Sequence, residues 1–591
     1  MKDNEKSSMG GSKKLWMRYK TRVEFVDEIS CLIIDRSMCS STSSPTIERH
    51  SFNYQPSIWN LEFLKSLEKN HIKAQVDHEK IERLKSEVKN MVANEEHEPL
   101  MLFKLIDEIQ RLGLGNYFND DIKSALRRYA FNFSDLKLNL HATALGFRLL
   151  RQFGFLVSQD VFKQFMDANG NFKPSLRYDN EGLIHLYEAS YVTFVGENLM
   201  DKVKAFTMEY ISNDLCLNES KHIVDYMNHK LALPLQYQVA KLEARHHIET
   251  LPQRDYTNNV RALLIELSML DFNYMQFMYQ DDLNDMSRWW KNMELSENLS
   301  FTRDRLVECF FWSIGITSSK PELSCCRKAL TKVCNFITII DDIYDAYAHI
   351  HELHLFTKAI DRWNINEIDD LPHYMKLTFV ALYNTINEIG YEILKLKGLN
   401  CIPFLINAWK EVCKAFMVEA QWCHYKETPC FEEYIENGWV SSSGALLLTH
   451  AFFFVTSQIS LEALEALKIN HHILRLPSMV LRLTNDLVTS EDEIERGETT
   501  NAISCYAKHA NVSHEDACKH ITKMIEENWK RLNEIQVNNQ TPFTKDFIEI
   551  SMNLARTSHC VYQHGDGHGS PELLHKKVLS IIVEPIHLYS S

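Results

Sequence analysis

The chain has 591 residues, 45% of them hydrophobic and 24% charged, with a formal net charge of −15. That length suffices for two or three domains around a large buried core. The spread acidic excess excludes a general nucleic-acid surface, which needs a basic footprint, but not an anionic small molecule, because a few local cations override the global sign.

The first 48 residues differ from the rest. The stretch SMCSSTSSPT (37–46) is small and polar and reads as a linker. Upstream lie Lys13, Lys14, Arg18, Lys20 and Arg22, but the same segment also holds Asp3, Glu5, Glu24, Asp27, Glu28 and Asp35. A Ser-rich, basic leader fits a plastid transit peptide, whereas its acids fit one poorly. The expected location is the plastid, with the cytosol as the alternative.

Over the whole chain glycine (18) and proline (14) are scarce for such a length. Helical periodicity recurs instead. In HEKIERLKSEVKNMV (78–92), Ile81, Leu84, Val88 and Met91/Val92 form one stripe, with charges opposite. LMLFKLIDEIQRLGL (100–114) and DACKHITKMIEENWKRLNEI (516–535) repeat the pattern. The fold class expected is all-α, in two helical domains over residues 49–255 and 256–591. The polar ETLPQRDYTNN (249–259) marks the division. No unbroken apolar run reaches the roughly 18 to 20 residues of a membrane helix, so no membrane partner is expected. The 14 cysteines show no CxxC pair or zinc spacing and read as reduced core thiols.

Four stretches of the second half carry chemistry. DDLND (281–285) lacks an apolar wall and reads as an ordinary surface face. FTRDRLVECFFW (301–312) offers Arg303 and Arg305, in isolation a surface pair. In ITIIDDIYDAY (337–347), Asp341 and Asp345 are four apart and share a helical face, while Asp342 points aside. The apolar run before them directs these carboxylates into an enclosed space, where Mg²⁺ or Mn²⁺ relieves their repulsion. In LRLTNDLVTSEDEIERGE (481–498), Asn485, Thr489 and Glu493 are spaced four and four. Amide, hydroxyl and carboxylate on one face make a hard-cation site. Arg482, one turn earlier, suggests an anion bridging metal and guanidinium, a diphosphate above all.

With these motifs the chain resembles the plant terpene synthases, from about residue 49 to the C-terminus. DDIYD (341–345), NDLVTSEDE (485–493) and RDR (303–305) are similar to that family's two metal motifs and its Arg-x-Arg motif. NYQPSIW (53–59), RLLRQFGF (148–155) and YQHGDGHGSP (562–571) are further signposts. The resemblance implies an N-terminal α-barrel domain without chemistry, since no DxDD is present, and a C-terminal catalytic bundle. It implies a monomer that takes a prenyl diphosphate and three Mg²⁺. Metal falls to Asp341, Asp342 and Asp345 on one wall and to Asn485, Thr489 and Glu493 on the other. Substrate falls to Arg303, Arg482, Asp341, Asp345 and Asn485. Tyr562 and Asp566 close the pocket or accept the final proton. Trp312 and Tyr506 are candidates to face the carbocation, and SSSG (441–444) corresponds to a helix break facing it.

Many relatives that make cyclic monoterpenes carry two arginines ahead of a tryptophan; here the pair is Arg49 and His50 before Trp59. The expected activity is a lyase that ionises geranyl diphosphate and releases an acyclic monoterpene such as ocimene or myrcene. Isoprene synthases carry phenylalanines near the positions of Cys334 and Leu481, neither of which is Phe, so a cavity for a C10 chain is expected. Farnesene from farnesyl diphosphate, isoprene or linalool synthesis, prenyl-chain elongation and a non-catalytic scaffold are the alternatives.

Overall fold

A computed structural model gives the fold, describing residues 54–68, 78–136, 138–211, 221–250, 259–317, 319–469, 471–495, 500–538 and 541–587. Helices dominate the described residues. Among the described residues no strand forms, and the sheet-like pairs are two isolated bridges, Met166 with Phe172 and Gln563 with Gly565. The expected all-α class holds. The residues of the proposed extension (1–48) and of the division near 255 lie outside the described residues.

The apolar stripes dictate the packing. In the His78–Ala93 helix, Ile81, Leu84, Val88 and Val92 are buried, each contributing roughly 1.5–3 kcal/mol. The Pro99–Arg111 and Leu140–Gln152 helices pack on each other and bury Phe103, Ile106 and Phe147 in one core. A second, larger core is assembled from Trp59, from the helices after residue 300 and from the C-terminal segment. The 35-residue helix Asn259–Met293 belongs to both. Its first half gives Leu264, Leu267 and Phe272 to the first core, and its second half gives Met275, Tyr279, Leu283 and Trp290 to the second.

This helix contains the DDLND stretch, and here the surface reading is corrected. Asp282 is 2% exposed and pairs with the fully buried Arg327 at 2.8 Å. It also accepts a hydrogen bond from Ser324. Asp285 does face outward, to Lys328 at 3.0 Å and Arg288 at 2.6 Å. The stretch is a clamp that holds the start of the Ser324–Asp342 helix.

Around the second core stand the helices Leu306–Thr317, Ser324–Asp342, Ile402–Tyr425, Phe431–Ser441, Gly444–Val455, His472–Glu495 and Lys545–Val561. Phe431–Val455 is long and apolar enough to cross a membrane by length and composition, but 72% of its apolar window is buried inside the protein. It is also broken: Ser443 adopts φ 62°, in the left-handed region, where one helix ends and the next begins. The sequence reading missed this window because three serines interrupt its apolar residues. Cys309, Cys326, Cys334, Cys401, Cys413, Cys505 and Cys560 are buried and unbonded, as small core residues.

Candidate active site

The Ser324–Asp342 helix forms the first wall. Phe336, Ile339 and Ile340 are buried on its apolar faces, which fixes its rotation. Past Asp342 the backbone widens into a π-turn over Ile343–Tyr347, a device common at functional sites. Asp341 is therefore on the regular helix and Asp345 on the widened turn. Asp345 is solvent-exposed, with protein packed closely around it. Burial, then the like charges of Asp341 and Glu419, hold its carboxyl well above the usual range. Asp342 turns aside, as expected, and is buried.

Arg303 binds both acids. Its backbone N–H and Nε donate to Asp342 at 2.7 Å each, and Nη2 donates to Asp341 Oδ2 at 2.6 Å. Burial opposes the guanidinium charge, but Asp342 and Asp341 outweigh it and hold the group well above its ordinary pKa. The ring of Tyr54 lies 5.0 Å from this guanidinium. Arg303 is partly buried and Arg305 fully so, so neither arginine is the surface residue that RDR suggests in isolation. Nη2 of Arg305 donates to Gln55 O at 2.8 Å and Gly569 O at 2.9 Å, and Nε donates to His568 O at 3.0 Å. It pins an N-terminal strap and the C-terminal glycine loop to one point. Trp59 extends the strap, donating from Nε1 to Glu308 at 2.7 Å. Sequence reasoning missed Arg305 and Glu308, because their partners lie about 250 residues away in the chain.

The glycine loop follows Lys545–Val561. Tyr562 is buried and packs edge-on against Trp312, with centroids 6.1 Å apart. Burial, then Asp566, raise its phenol well above the ordinary value, so it stays protonated. Arg303, Arg482 and Asp341 all act on it electrostatically, which puts it within reach of both walls. Asp566 shapes the loop, accepting from the backbone N–H of His568 at 3.1 Å and of Gly569 at 2.9 Å. His568 Nε2 meets Thr338 Oγ1 at 3.0 Å, fastening the loop to the first wall. Tyr506 is elsewhere: it stacks on His520 at 3.8 Å and meets Phe431 edge-on.

The His472–Glu495 helix is the second wall. Thr489 is buried, and its hydroxyl donates to Asn485 O at 3.1 Å, so toward a cation the oxygen offers lone pairs. Glu493 is on the next turn of the same helix, and its side chain lies outside the described part of the structure. Arg482 reaches across to the helix break. Nη2 donates to Ser441 Oγ at 2.7 Å and to Glu419 at 3.2 Å, and Nε donates to Gly438 O at 3.2 Å. Glu419, from Ile402–Tyr425, acts electrostatically on Asp345 on one side and on Arg482 on the other. Burial raises its carboxyl against the pull of Arg482.

The donor set fits a hard divalent cation. Asp341 and Glu419 both act electrostatically on Asp345 and raise its carboxyl, a concentration of negative charge that a divalent cation would relieve. Among the described residues no three His, Cys, Asp or Glu side chains are preassembled as a metal cage. The donors are split between two walls, and those of the second wall include an amide and a hydroxyl.

Comparison with known proteins agrees with this geometry. Residues 291–531 match the profile of the terpene synthase family, metal binding domain, and residues 58–231 that of the terpene synthase N-terminal domain. The chain is 47% identical to a probable terpene synthase of Ricinus communis, over 93% of this chain and 92% of that protein. It is 44% identical to a chloroplastic tricyclene synthase of Medicago truncatula, over 93% and 94%. Among solved structures, limonene synthase with 2-fluorolinalyl diphosphate superposes with a TM-score of 0.86 at 36% identity, covering 91% of this chain and all of that one. Isoprene synthase from grey poplar leaves, in complex with three Mg²⁺ ions and dimethylallyl-S-thiolodiphosphate, superposes with a TM-score of 0.82 at 44% identity, covering 90% and all of it. The protein belongs to the terpene synthase family, as a class I lyase with the metal-binding domain.

Proposed function

We propose that this synthase ionises geranyl diphosphate with Mg²⁺ and releases an acyclic monoterpene of the ocimene or myrcene type plus diphosphate. The observation that carries the reading is that Arg303 pairs with Asp341 and Arg482 with Glu419, while both of those carboxylates act on Asp345. Such a surface repels a bare diphosphate and accepts one that arrives with divalent cations. Asp341 and Asp345 would hold metal on the first wall, and Asn485, Thr489 and Glu493 on the second. The bound Mg²⁺ would neutralise the charge that builds on the departing diphosphate.

Arg303 and Arg482 bind and orient that anion. The allylic C–O bond breaks, and its electron pair leaves with the diphosphate. Trp312 and Tyr562 give the cation π-faces and no free nucleophile. Loss of a proton from a carbon next to the allylic cation, to the released diphosphate, then forms the acyclic triene. The strap and glycine loop, joined at Arg305, exclude water meanwhile.

Three observations favour a ten-carbon substrate, and one, the broken arginine pair, favours an unringed product. Cys334 and Leu481, where phenylalanine would shorten the cavity, are both buried at wall positions. The tandem arginine is broken at His50. The limonene synthase structure holds a ten-carbon diphosphate analogue, and the Medicago relative is named a tricyclene synthase. That relative's chloroplastic name, with the Ser-rich basic leader, supports a plastid location for this enzyme. The domain division near residue 255 and a monomeric state belong to the same proposal.

Gas chromatography of products from geranyl and farnesyl diphosphate, supplied separately with Mg²⁺, tests the reading. An acyclic C10 olefin from the first is expected; a dominant ring, or farnesene at the higher rate, refutes the substrate and product assignment. Asp341→Asn and Glu493→Gln are each expected to lower turnover by at least about a hundredfold. Undiminished turnover in both refutes the metal assignment.

A further inference from the structure

Asp486 follows Asn485 directly but cannot share its role, since its side chain is 1% exposed. A buried carboxylate is costly unless its oxygens are met by donors, and here both are engaged. Oδ2 accepts the Tyr434 hydroxyl at 2.6 Å and the backbone N–H of Ala502 at 2.9 Å. Oδ1 lies 3.6 Å from Nη1 of Arg482. Asp486 thus ties together His472–Glu495, Phe431–Ser441 and Ala502–Ala510.

The guanidinium of Arg482 is consequently gripped from two sides, by Asp486 on its own helix and by Ser441 and Glu419 across the recess. Gly438 leaves room for the side-chain stem: a Cβ there would stand 3.3 Å from Arg482 Cγ. A long arginine normally loses much rotamer freedom when it captures an anion. Here most of that freedom is lost before substrate arrives. The acid at 486 is also chemically specific. An acceptor-only group can face a phenol O–H, an amide N–H and a guanidinium at once. An asparagine of the same shape must aim its NH₂ at one of those donors.

We infer that Asp486, braced by Tyr434, is a positioning residue that presets Arg482 for the incoming diphosphate. The inference rests on the diphosphate reading above and adds residues to it. Asp486 touches neither metal nor substrate and acts through the guanidinium.

The test combines steady-state kinetics on geranyl diphosphate with calorimetric binding of inorganic diphosphate in the presence of Mg²⁺. Tyr434→Phe removes only the hydroxyl and is expected to raise KM and weaken diphosphate binding by about tenfold, with kcat changed less than about threefold. Asp486→Asn is expected to weaken both by about a hundredfold, and the double variant should be no worse than Asp486→Asn alone. A merely structural role would lower the thermal midpoint and the active fraction but leave diphosphate affinity unchanged. Wild-type affinity in a cooperatively folding Asp486→Asn overturns the inference alone. If that variant fails to fold, wild-type affinity in Tyr434→Phe overturns it. A wild-type protein that binds no diphosphate with Mg²⁺ overturns the underlying reading and this inference with it.

Discussion

His450, wholly buried in Gly444–Val455, has Nδ1 bonded to Leu446 O at 2.9 Å and Nε2 without a hydrogen-bond partner. Burial pushes its pKa down from 6.5 to about 4, so the native ring is neutral at pH 7. As pH falls below 6.5 the unfolded chain takes up a proton that the native state refuses. Stability is therefore complete above 6.5 and drains away down to about pH 4. Between pH 7 and 5 this ring is expected to cost about 2 kcal/mol. His450→Gln should flatten the pH dependence of the urea midpoint by that amount relative to wild type. At this scale the sequence was legible where chemistry is local. Asp341 and Asp345 announce themselves by spacing, and Asn485, Thr489 and Glu493 do the same. Arg305 and Asp486 do not, because what defines them is a partner on another helix.

Helices were legible where one face is apolar, as in His78–Ala93, because period and charge segregation coincide. The Asn259–Met293 helix defeats that logic. It is buried on several sides by two cores, so its acids lack the single apolar flank that would have signalled burial. The misreading of residues 281–285 has that cause. Asp282→Ala would leave the Arg327 guanidinium buried without its ion partner and is expected to destabilise the second core by about 3–5 kcal/mol. The exposed neighbour Asp281→Ala should change it by less than about 0.5 kcal/mol. Urea unfolding followed by tryptophan fluorescence compares the two. The π-turn after Asp342 was not legible either, since DDIYDAY carries no glycine or proline to mark a change of pitch.

Across the whole molecule, the Asn259–Met293 helix joins the two cores along its length, and the strap at Tyr54–Trp59 meets the glycine loop over the catalytic helices. The far end also docks on that helix: Asn273 exchanges two hydrogen bonds with the backbone of Ile586, at 2.8 and 2.9 Å, and Gln280 donates to Ile582 O at 2.7 Å. The strap makes a clear prediction. Deletion of residues 1–52 keeps Tyr54, Gln55 and Trp59 and should hold turnover within about threefold of wild type. Deletion through residue 59 removes the Trp59–Glu308 and Gln55–Arg305 bonds and should lower turnover by more than about tenfold. Hydrocarbon release per folded enzyme distinguishes the two, and equal activity would show that the strap does not seal the site.

Arg305 waits for residues 568 and 569, 263 and 264 positions later in the chain. A nascent chain that has not yet reached them holds a bundle whose catalytic helices are made but whose cap is not. Activity should therefore not appear before residue 569 has left the ribosome, and a half-synthesised enzyme would be unable to trap a reactive cation in an unsealed cavity.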